Sequence, residues 1–216
     1  MFSIKFAQAL FPQLSWFSEN LENLEKERFF IFFNAIGKKI SVEPVSAEQL
    51  VFLKSEYPDI DFTGWNQQDL ARLLALLKLQ QQIDAEIFLQ LVEQQFHPGT
   101  PSEQASLLKS LSLLNNPAQF EPLARFATRS NVAEVFLALA HHNPFPALYF
   151  DETGWNQLIL KALFNGFQLA KIIGLHERHN ANLAESLRQF AFERQAAGRP
   201  VSEELWPLAN AFLPEG

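Results

Sequence analysis

The side chains of this sequence that could do chemistry lie mostly in its second half, in two polar turns and the helices predicted beside them. The candidates are imidazole, carboxylate, amide and cationic groups: His142, Asn143, Asp151, Asn156, Lys161, Arg178, Asn180, Glu193 and Arg194. In this set His142 or Asp151 could act as a general base, and Arg178 or Arg194 could hold an anion.

Each candidate also has a purely structural interpretation. Asp151 could cap a helix, Arg178 could pair with Glu193, and Lys161 could face solvent. Polar groups beside apolar helices need partners in any case, because an unpaired buried polar group is costly. The sequence leaves both interpretations open.

The position of these residues predicts that several of them meet. The turn after His142 and the turn after Gly174 flank one apolar helix, expected over 155–173, and a long helix over 181–197 follows it. Helices joined by short turns usually pack antiparallel. We therefore expect one region to contain Asn143, Asp151, Lys161, Arg178 and Glu193.

The five histidines do not predict a metal site. His141 and His142 are adjacent, so on a helix they point about 100° apart, with His142 expected inward and His141 outward. His176 and His179 lie in a polar turn without a His-Glu-x-x-His context. No Gly-x-Ser-x-Gly, phosphate loop or Gly-x-Gly-x-x-Gly is present among only 8 glycines, so no cofactor is expected.

Composition narrows the class of protein further. The net charge is −7, neither half has a basic excess, and we therefore expect no nucleic-acid partner. With no cysteine, disulfides and thiolate catalysis are excluded. No stretch reaches the roughly 20 apolar residues that span a bilayer, and the N-terminus does not resemble a signal peptide. A cytoplasmic protein without a transmembrane segment is expected.

Hydrophobic periodicity predicts an all-α fold of ten or more helices without a sheet. Helices are expected over 2–11, 13–36, 47–56, 85–96, 101–114, 118–128, 131–142, 155–173, 181–197 and from about 202. A further amphipathic helix is expected to contain Leu70, Leu73, Leu74 and Leu77. Pieces of this length with short polar turns suggest antiparallel helix pairs stacked as in a solenoid. Without a strict repeat, this is an irregular helical array in one domain, 1–216, divisible into sub-halves 1–116 and 117–216.

Several helix boundaries carry specific signals. Ser46 followed by Gln49 forms a capping-box pattern, Asp84 caps the helix at 85–96, and Thr100-Pro-Ser-Glu103 is a strong start. Gly37 is expected to end the helix over 13–36. The sequence Asp61-Phe-Thr-Gly-Trp-Asn-Gln recurs as Asp151-Glu-Thr-Gly-Trp-Asn-Gln, which indicates either a shared helix start with Thr as the cap or an old duplication.

The helix after this second copy is apolar on most sides, which predicts a central position in the fold. On its apolar side and on that of the long helix lie Trp155, Phe164 and Phe190. We expect all three side chains to be buried.

One resemblance covers residues 136–206, about a third of the chain. Its segments are Ala140-His-His-Asn-Pro-Phe-Pro-Ala-Leu-Tyr-Phe-Asp-Glu152, Trp155-Asn-Gln, Leu160-Lys-Ala-Leu-Phe164, Gly174-Leu-His-Glu-Arg-His-Asn180, Glu193-Arg194, Ala197-Gly-Arg199 and Leu205-Trp206, with a weaker match at Trp65 and Asp69-Leu-Ala-Arg72-Leu-Leu. In these segments the sequence resembles the EboA family of bacterial metabolite-traffic proteins. His176 stands where the family pattern has Asp, which argues against a metal role there.

The resemblance implies a role in a bacterial cluster that makes or exports a secondary metabolite, with other proteins of that cluster or the metabolite itself as partners. It assigns no reaction. Two hypotheses follow. The first is a non-enzymatic helical protein that binds a metabolite or a partner protein. The second is a small-molecule enzyme with an acid/base and arginine site around residues 142–194. They are distinguished by whether these groups converge on a solvent-reachable pocket or bond to one another.

Overall fold

The computed structural model describes residues 10–11, 14–203 and 205–212, and within them it confirms the all-α prediction: twelve α-helices and no sheet, with one isolated bridge between Pro44 and Asn66. The helices are α1 Ser15–Glu22, α2 Phe29–Lys39, α3 Ala47–Glu56, α4 Gln67–Leu79, α5 Ala85–Phe96, α6 Pro101–Ser110, α7 Glu121–Ala127, α8 Ala133–Ala140, α9 Phe145–Tyr149, α10 Glu152–Phe164, α11 Ala181–Ala196 and α12 Leu205–Ala209. Short 3₁₀ turns occupy Lys26–Arg28, Leu111–Leu113, Pro117–Phe120 and Leu169–Lys171. The helix expected over 2–11 falls mostly outside the described residues.

The capping signals read from the sequence are confirmed. Ser46 and Gln49 form a capping box at α3, and Thr100 and Glu103 form another at α6. The Asp84 carboxylate accepts a hydrogen bond from the Glu86 amide, and α5 has the predicted bounds. Such caps satisfy the amide groups that the first turn of a helix leaves without partners.

The prediction of a single helix over 13–36 is wrong. The described part of this region is two helices, because α1 ends before Asn23, whose side-chain amide donates to the carbonyl of Glu19. Gly37 does not end α2, which continues to Lys39. A Cβ on Gly37 would stand 3.0 Å from Nη2 of Arg72, so this glycine leaves room for the Arg72 guanidinium.

The helix predicted over 155–173 is shorter at its carboxyl end. It stops at Phe164, where Gly166 adopts a left-handed φ of 72° and the amides of Gly166 and Phe167 bond back to the carbonyls of Leu163 and Ala162. This pair of bonds is a Schellman motif. Since the chain turns away here, the Phe164 side chain is 64% exposed and its predicted burial is wrong, whereas Trp155 is fully buried as predicted.

The two copies of the repeated heptapeptide adopt different backbones. In the first, Gly64 has a left-handed φ of 76° and Asn66 caps α4. In the second, Asp151 caps α10, and Gly154 lies inside the helix. The prediction that Thr caps both helices is therefore wrong.

The core is organised around α4, which is buried nearly all round. Alternate helices pack side by side in the order α2, α4, α6 and α8, and α11 packs against α10 and α12. The central position predicted for α10 belongs to α4, because α10 is buried on one face only. Solenoid-like stacking stays a prediction.

Candidate functional site

Most of the predicted site residues bond to backbone groups at helix ends. The Lys161 ammonium donates to the carbonyls of Thr128 and Ser130, both at 2.7 Å, and lies 5.3 Å from the ring centroid of Phe136. These carbonyls follow the end of α7, where main-chain acceptors lack helical partners. Burial lowers the pKa of Lys161.

Arg178 has the same role at the end of α9. Its Nη1 donates to the carbonyls of Ala147 and Phe150 at 2.7 and 2.9 Å, and its guanidinium lies 5.2 Å from the ring centroid of Trp155. Both contacts use the cation for backbone capping and for packing against an aromatic face.

Asp151 and the asparagines likewise define helix starts. An Asp151 oxygen accepts from the Gly154 amide at 2.7 Å and lies 2.5 Å from Nη1 of Arg125. The Gly154 hydrogen bond, assisted by Arg125 and Arg178, lowers the pKa of Asp151. Asn180 caps α11 and exchanges amide hydrogen bonds with Asn156 at 2.9 and 3.2 Å.

Asn143 is buried and fully bonded to backbone. Its amide nitrogen donates to the carbonyls of Leu108 and Ala138 at 3.0 and 2.9 Å, and its oxygen accepts from the Phe145 amide at 3.0 Å. The three contacts join α6, α8 and α9, so Asn143 acts as a structural connector.

Neither Glu193 nor Arg194 bonds to another candidate within the described residues. Glu193 is exposed, and within the described residues no ion pair joins it to Arg178. Arg194 donates through Nε to the Pro200 carbonyl at 2.8 Å and stacks on Phe190 at 5.6 Å. The structure thus brings Asp151 near Arg178 and joins Asn156 to Asn180.

His142 lines an open cleft. Because α8 ends at Ala140, neither His141 nor His142 is helical, and both are half-buried. The prediction that one points inward and the other outward is therefore wrong. His142 adopts a left-handed φ of 54°, and its amide donates to the Lys171 carbonyl at 2.9 Å.

The His142 ring binds a carboxylate from the first half of the chain. Its Nδ1 lies 2.7 Å from Oδ2 of Asp61. Burial alone would raise the pKa of Asp61, but hydrogen bonds from Thr63 and His142 outweigh it and hold that pKa below its usual value. Within the described residues, no protein group bonds to Nε2 of His142.

The cleft itself lies between the turn before α4, helix α6 and helix α8, and we call it the polar cleft. Its volume is about 250 Å³, and a small hollow of about 20 Å³, lined in part by Asp61, adjoins it. Polar groups from all three elements line it: Thr63, Asn66, Lys109, Glu134, His141 and His142. Leu137 and Ala138 form part of its apolar wall.

The floor of the polar cleft is an ion pair. The Lys109 ammonium lies 2.6 Å from Oδ2 of buried Asp69 and donates to the Gly64 carbonyl at 2.8 Å. Oδ1 of Asp69 accepts from the Ser106 hydroxyl at 2.6 Å. Behind it Arg72, also buried, donates to the hydroxyl oxygens of Ser102 and Ser106 at 3.0 Å.

His141 carries a free nitrogen at the side of the cleft. Its Nε2 is buried and has no hydrogen-bond partner in the described part of the chain. Burial lowers the pKa of His141, and the neighbouring Lys171 and His142 add to that effect. The ring is therefore neutral over a wider pH range than a free histidine.

Sequence reasoning missed most of this cleft. It named His142 but omitted Asp61, Asp69, Lys109 and His141, which come from elements far apart in the chain. Asp61 was visible as part of the repeated heptapeptide, and Asp69 as part of the weaker segment of the resemblance. Nothing in the spacing showed that they meet at one surface.

Two features are absent from the described residues. No group of three or more histidine or acidic side chains there is arranged to hold an ion. No helix in the same ranges is long and apolar enough to cross a membrane.

Comparison with known proteins identifies the family. The family model described as "Metabolite traffic protein EboA" matches residues 7–210, nearly the whole chain. The chain belongs to the EboA family. Searches of curated proteins and of solved structures gave no significant match.

The EboA match extends well beyond the segments of the sequence resemblance. It includes both the turn that carries Asp61 and the segment that carries His141 and His142, which together form the polar cleft. Both sides of the cleft thus belong to the region that the family shares.

Proposed function

We propose that this EboA-family protein binds a small polar metabolite in the polar cleft and releases it unchanged. The observation that carries the proposal is the lining of the cleft, where groups that can donate or accept hydrogen bonds face an open volume of about 250 Å³. A few placed polar groups in a concave site are typical of small-molecule binding sites. The open Nε2 of His142 is the group that the ligand would engage.

The charges around the cleft support binding more than catalysis. Lys109 is held by Asp69 and by a backbone carbonyl, so its charge is already paired and its position is fixed. Arg178 and Arg194, which an anionic substrate would need in the enzyme hypothesis, donate to carbonyls away from this cleft. We include in the proposal a cytoplasmic location, as the sequence predicts, and hand-over to other proteins of a secondary-metabolite cluster.

Native mass spectrometry with metabolite identification tests the proposal. The tagged protein is purified from cells under native conditions, and the small molecules released on denaturation are compared between variants. His142→Asn removes the ring while keeping a residue that tolerates a left-handed φ, and Thr63→Trp fills the cleft from an exposed position. Both should lose the bound molecule, and the exposed control His176→Asn should retain it. Equal recovery from all of them would refute binding at this cleft.

The Asp61–His142 pair favours a second candidate function, a small-molecule enzyme. A carboxylate on Nδ1 orients an imidazole so that Nε2 can accept a proton from a substrate. Adding the recovered metabolite in large excess separates the two functions. A carrier returns it unchanged at a stoichiometry near one, whereas an enzyme converts many equivalents, and His142→Asn abolishes the conversion.

A further inference from the structure

A second concave site lies on the far side of the 165–171 loop, and we call it the aromatic groove. It has a volume of about 290 Å³ and lies between the end of α10, this loop, α11 and the chain before α12. Its principal side chains are Phe164, Phe167, Phe190, Leu205 and Arg194. None of them lines the polar cleft.

The groove exposes an aromatic surface. Phe164 is 64% exposed, and its ring centroid lies 5.1 Å from that of Phe190 at an interplanar angle of 57°. Phe167 stacks on Phe136 at 5.6 Å, which fixes the loop side of the groove. Exposed apolar surface rimmed by polar groups commonly marks a binding site.

One cation lies at the rim of this surface. Of the described residues that line the groove, Arg194 alone carries a charge. Its Nε is held by the Pro200 carbonyl and its guanidinium lies over Phe190, so the side chain is positioned from two directions. Within the described residues no hydrogen bond uses its Nη1 or Nη2.

We propose that the aromatic groove binds a small aromatic carboxylate. The two free guanidinium nitrogens match the two oxygens of a carboxylate. An aromatic ring of the ligand would then meet Phe164 and Phe190 in the tilted or offset geometry that aromatic pairs prefer. The positive charge of Arg194 favours an anionic ligand over a neutral one. The two phenylalanine rings favour a ligand with an aromatic ring over one with a flexible alkyl chain. This site is separate from the polar cleft and does not depend on the function proposed for it.

Isothermal titration calorimetry with naphthalene-2-carboxylate tests the inference. The neutral naphthalene-2-carboxamide should bind at least tenfold more weakly, because it lacks the charge that Arg194 pairs with. Decanoate, which keeps the charge without the ring, should also bind more weakly. Equal affinity of the amide overturns the role of the cation, and equal affinity of decanoate overturns the aromatic selection.

Variants locate the binding. Arg194→Gln should weaken naphthalene-2-carboxylate about tenfold and leave the amide unaffected, and Phe164→Ala should weaken both about fivefold. The controls are Arg199→Gln and Phe126→Ala, which change exposed residues outside the groove. Because Phe164 is mostly exposed, Phe164→Ala should keep the fold. This variant therefore tests whether the ligand binds in the groove even if Arg194→Gln does not fold. Wild-type affinity in Phe164→Ala, or an equal loss in the controls, refutes the site.

Discussion

His142 Nδ1 lies 2.7 Å from Oδ2 of Asp61, although 81 positions separate the two residues in the chain. The contact connects the turn before α4 to the second residue after the end of α8. Both residues line the small hollow that adjoins the polar cleft. Part of the cleft's shape therefore depends on a single hydrogen bond between the two halves.

Replacing His142 with Asn should raise the pKa of Asp61 toward its ordinary value. The folded pKa of Asp61 is lowered, so its stabilisation is complete above the unfolded pKa, near 3.8, and is lost as pH falls through the folded pKa. Without His142 this stabilisation should be smaller, and its loss should be complete at a higher pH. Carboxyl NMR titration of Asp61 measures the change, and His176→Asn should leave it unaltered. An unchanged pKa would show that Thr63 alone holds it low.

His141 should make the protein less stable in mild acid. Its pKa is lowered in the folded state, so below about 6.5 the unfolded chain binds a proton that the folded chain does not. Stability is then lost as pH falls from 6.5 toward the folded pKa. Urea unfolding at pH 7.5 and 5.5 should show a smaller loss in His141→Gln than in wild type. The exposed His176→Asn serves as the control, and an equal loss in His141→Gln contradicts the assignment.

Arg178→Ala should destabilise the protein by about 2–3 kcal/mol, because two carbonyls at the end of α9 lose a charged donor. Arg178→Lys should recover part of this, since an ammonium can reach one carbonyl but cannot copy the planar contact with Trp155. Chemical denaturation supplies the measurement. If metabolite recovery falls while stability stays at the wild-type value, Arg178 has a functional role instead.

Trp155→Ala and Phe164→Ala should differ strongly although both residues belong to α10. Trp155 is fully buried, so its removal should cost about 3–5 kcal/mol through lost burial and the cavity left behind. Phe164 is 64% exposed, and its removal should cost under about 1 kcal/mol. Comparable melting temperatures for the two variants would contradict this placement of the core.

The contrast between Trp155 and Phe164 shows what the sequence could predict. Local sequence signals were sufficient to predict a helix start where the cap is formed by neighbouring residues in the chain, as at Ser46, Asp84 and Thr100. The end of α10 was missed because Gly166 lies within an apolar run whose helical period continues past it. The Schellman bonds there outweigh that periodicity.

The candidate site was less predictable than the fold. Residue types identified polar groups, but most of them bond to carbonyls of distant helices, as Lys161 and Arg178 do. Such partners are set by tertiary packing and leave no trace in local spacing. Asp61 and His142 meet for the same reason, so the polar cleft could be found only in three dimensions.

Asp69 should be among the most sensitive polar positions in the molecule. It is 2% exposed, pairs with Lys109 at 2.6 Å, accepts from Ser106 at 2.6 Å and completes the capping box of α4 with Asn66. The Asp69 carboxylate interacts with two cations, Lys109 and the buried Arg72. Asp69→Asn removes the negative charge that stabilises both of them. Breaking a buried pair in this way costs about 3–5 kcal/mol.

The matched control for that variant is Asp84→Asn, which also alters a helix-capping carboxylate but at an exposed position without a cation. It should cost under about 1 kcal/mol, since asparagine is a comparable N-cap. The double variant Asp69→Asn/Lys109→Met should be more stable than Asp69→Asn alone, because it removes a cation that has lost its partner. Urea denaturation measures all three. If Asp69→Asn lowers the free energy of unfolding no more than Asp84→Asn does, the charge of Asp69 does not stabilise the floor of the polar cleft, and only its hydrogen bonds do.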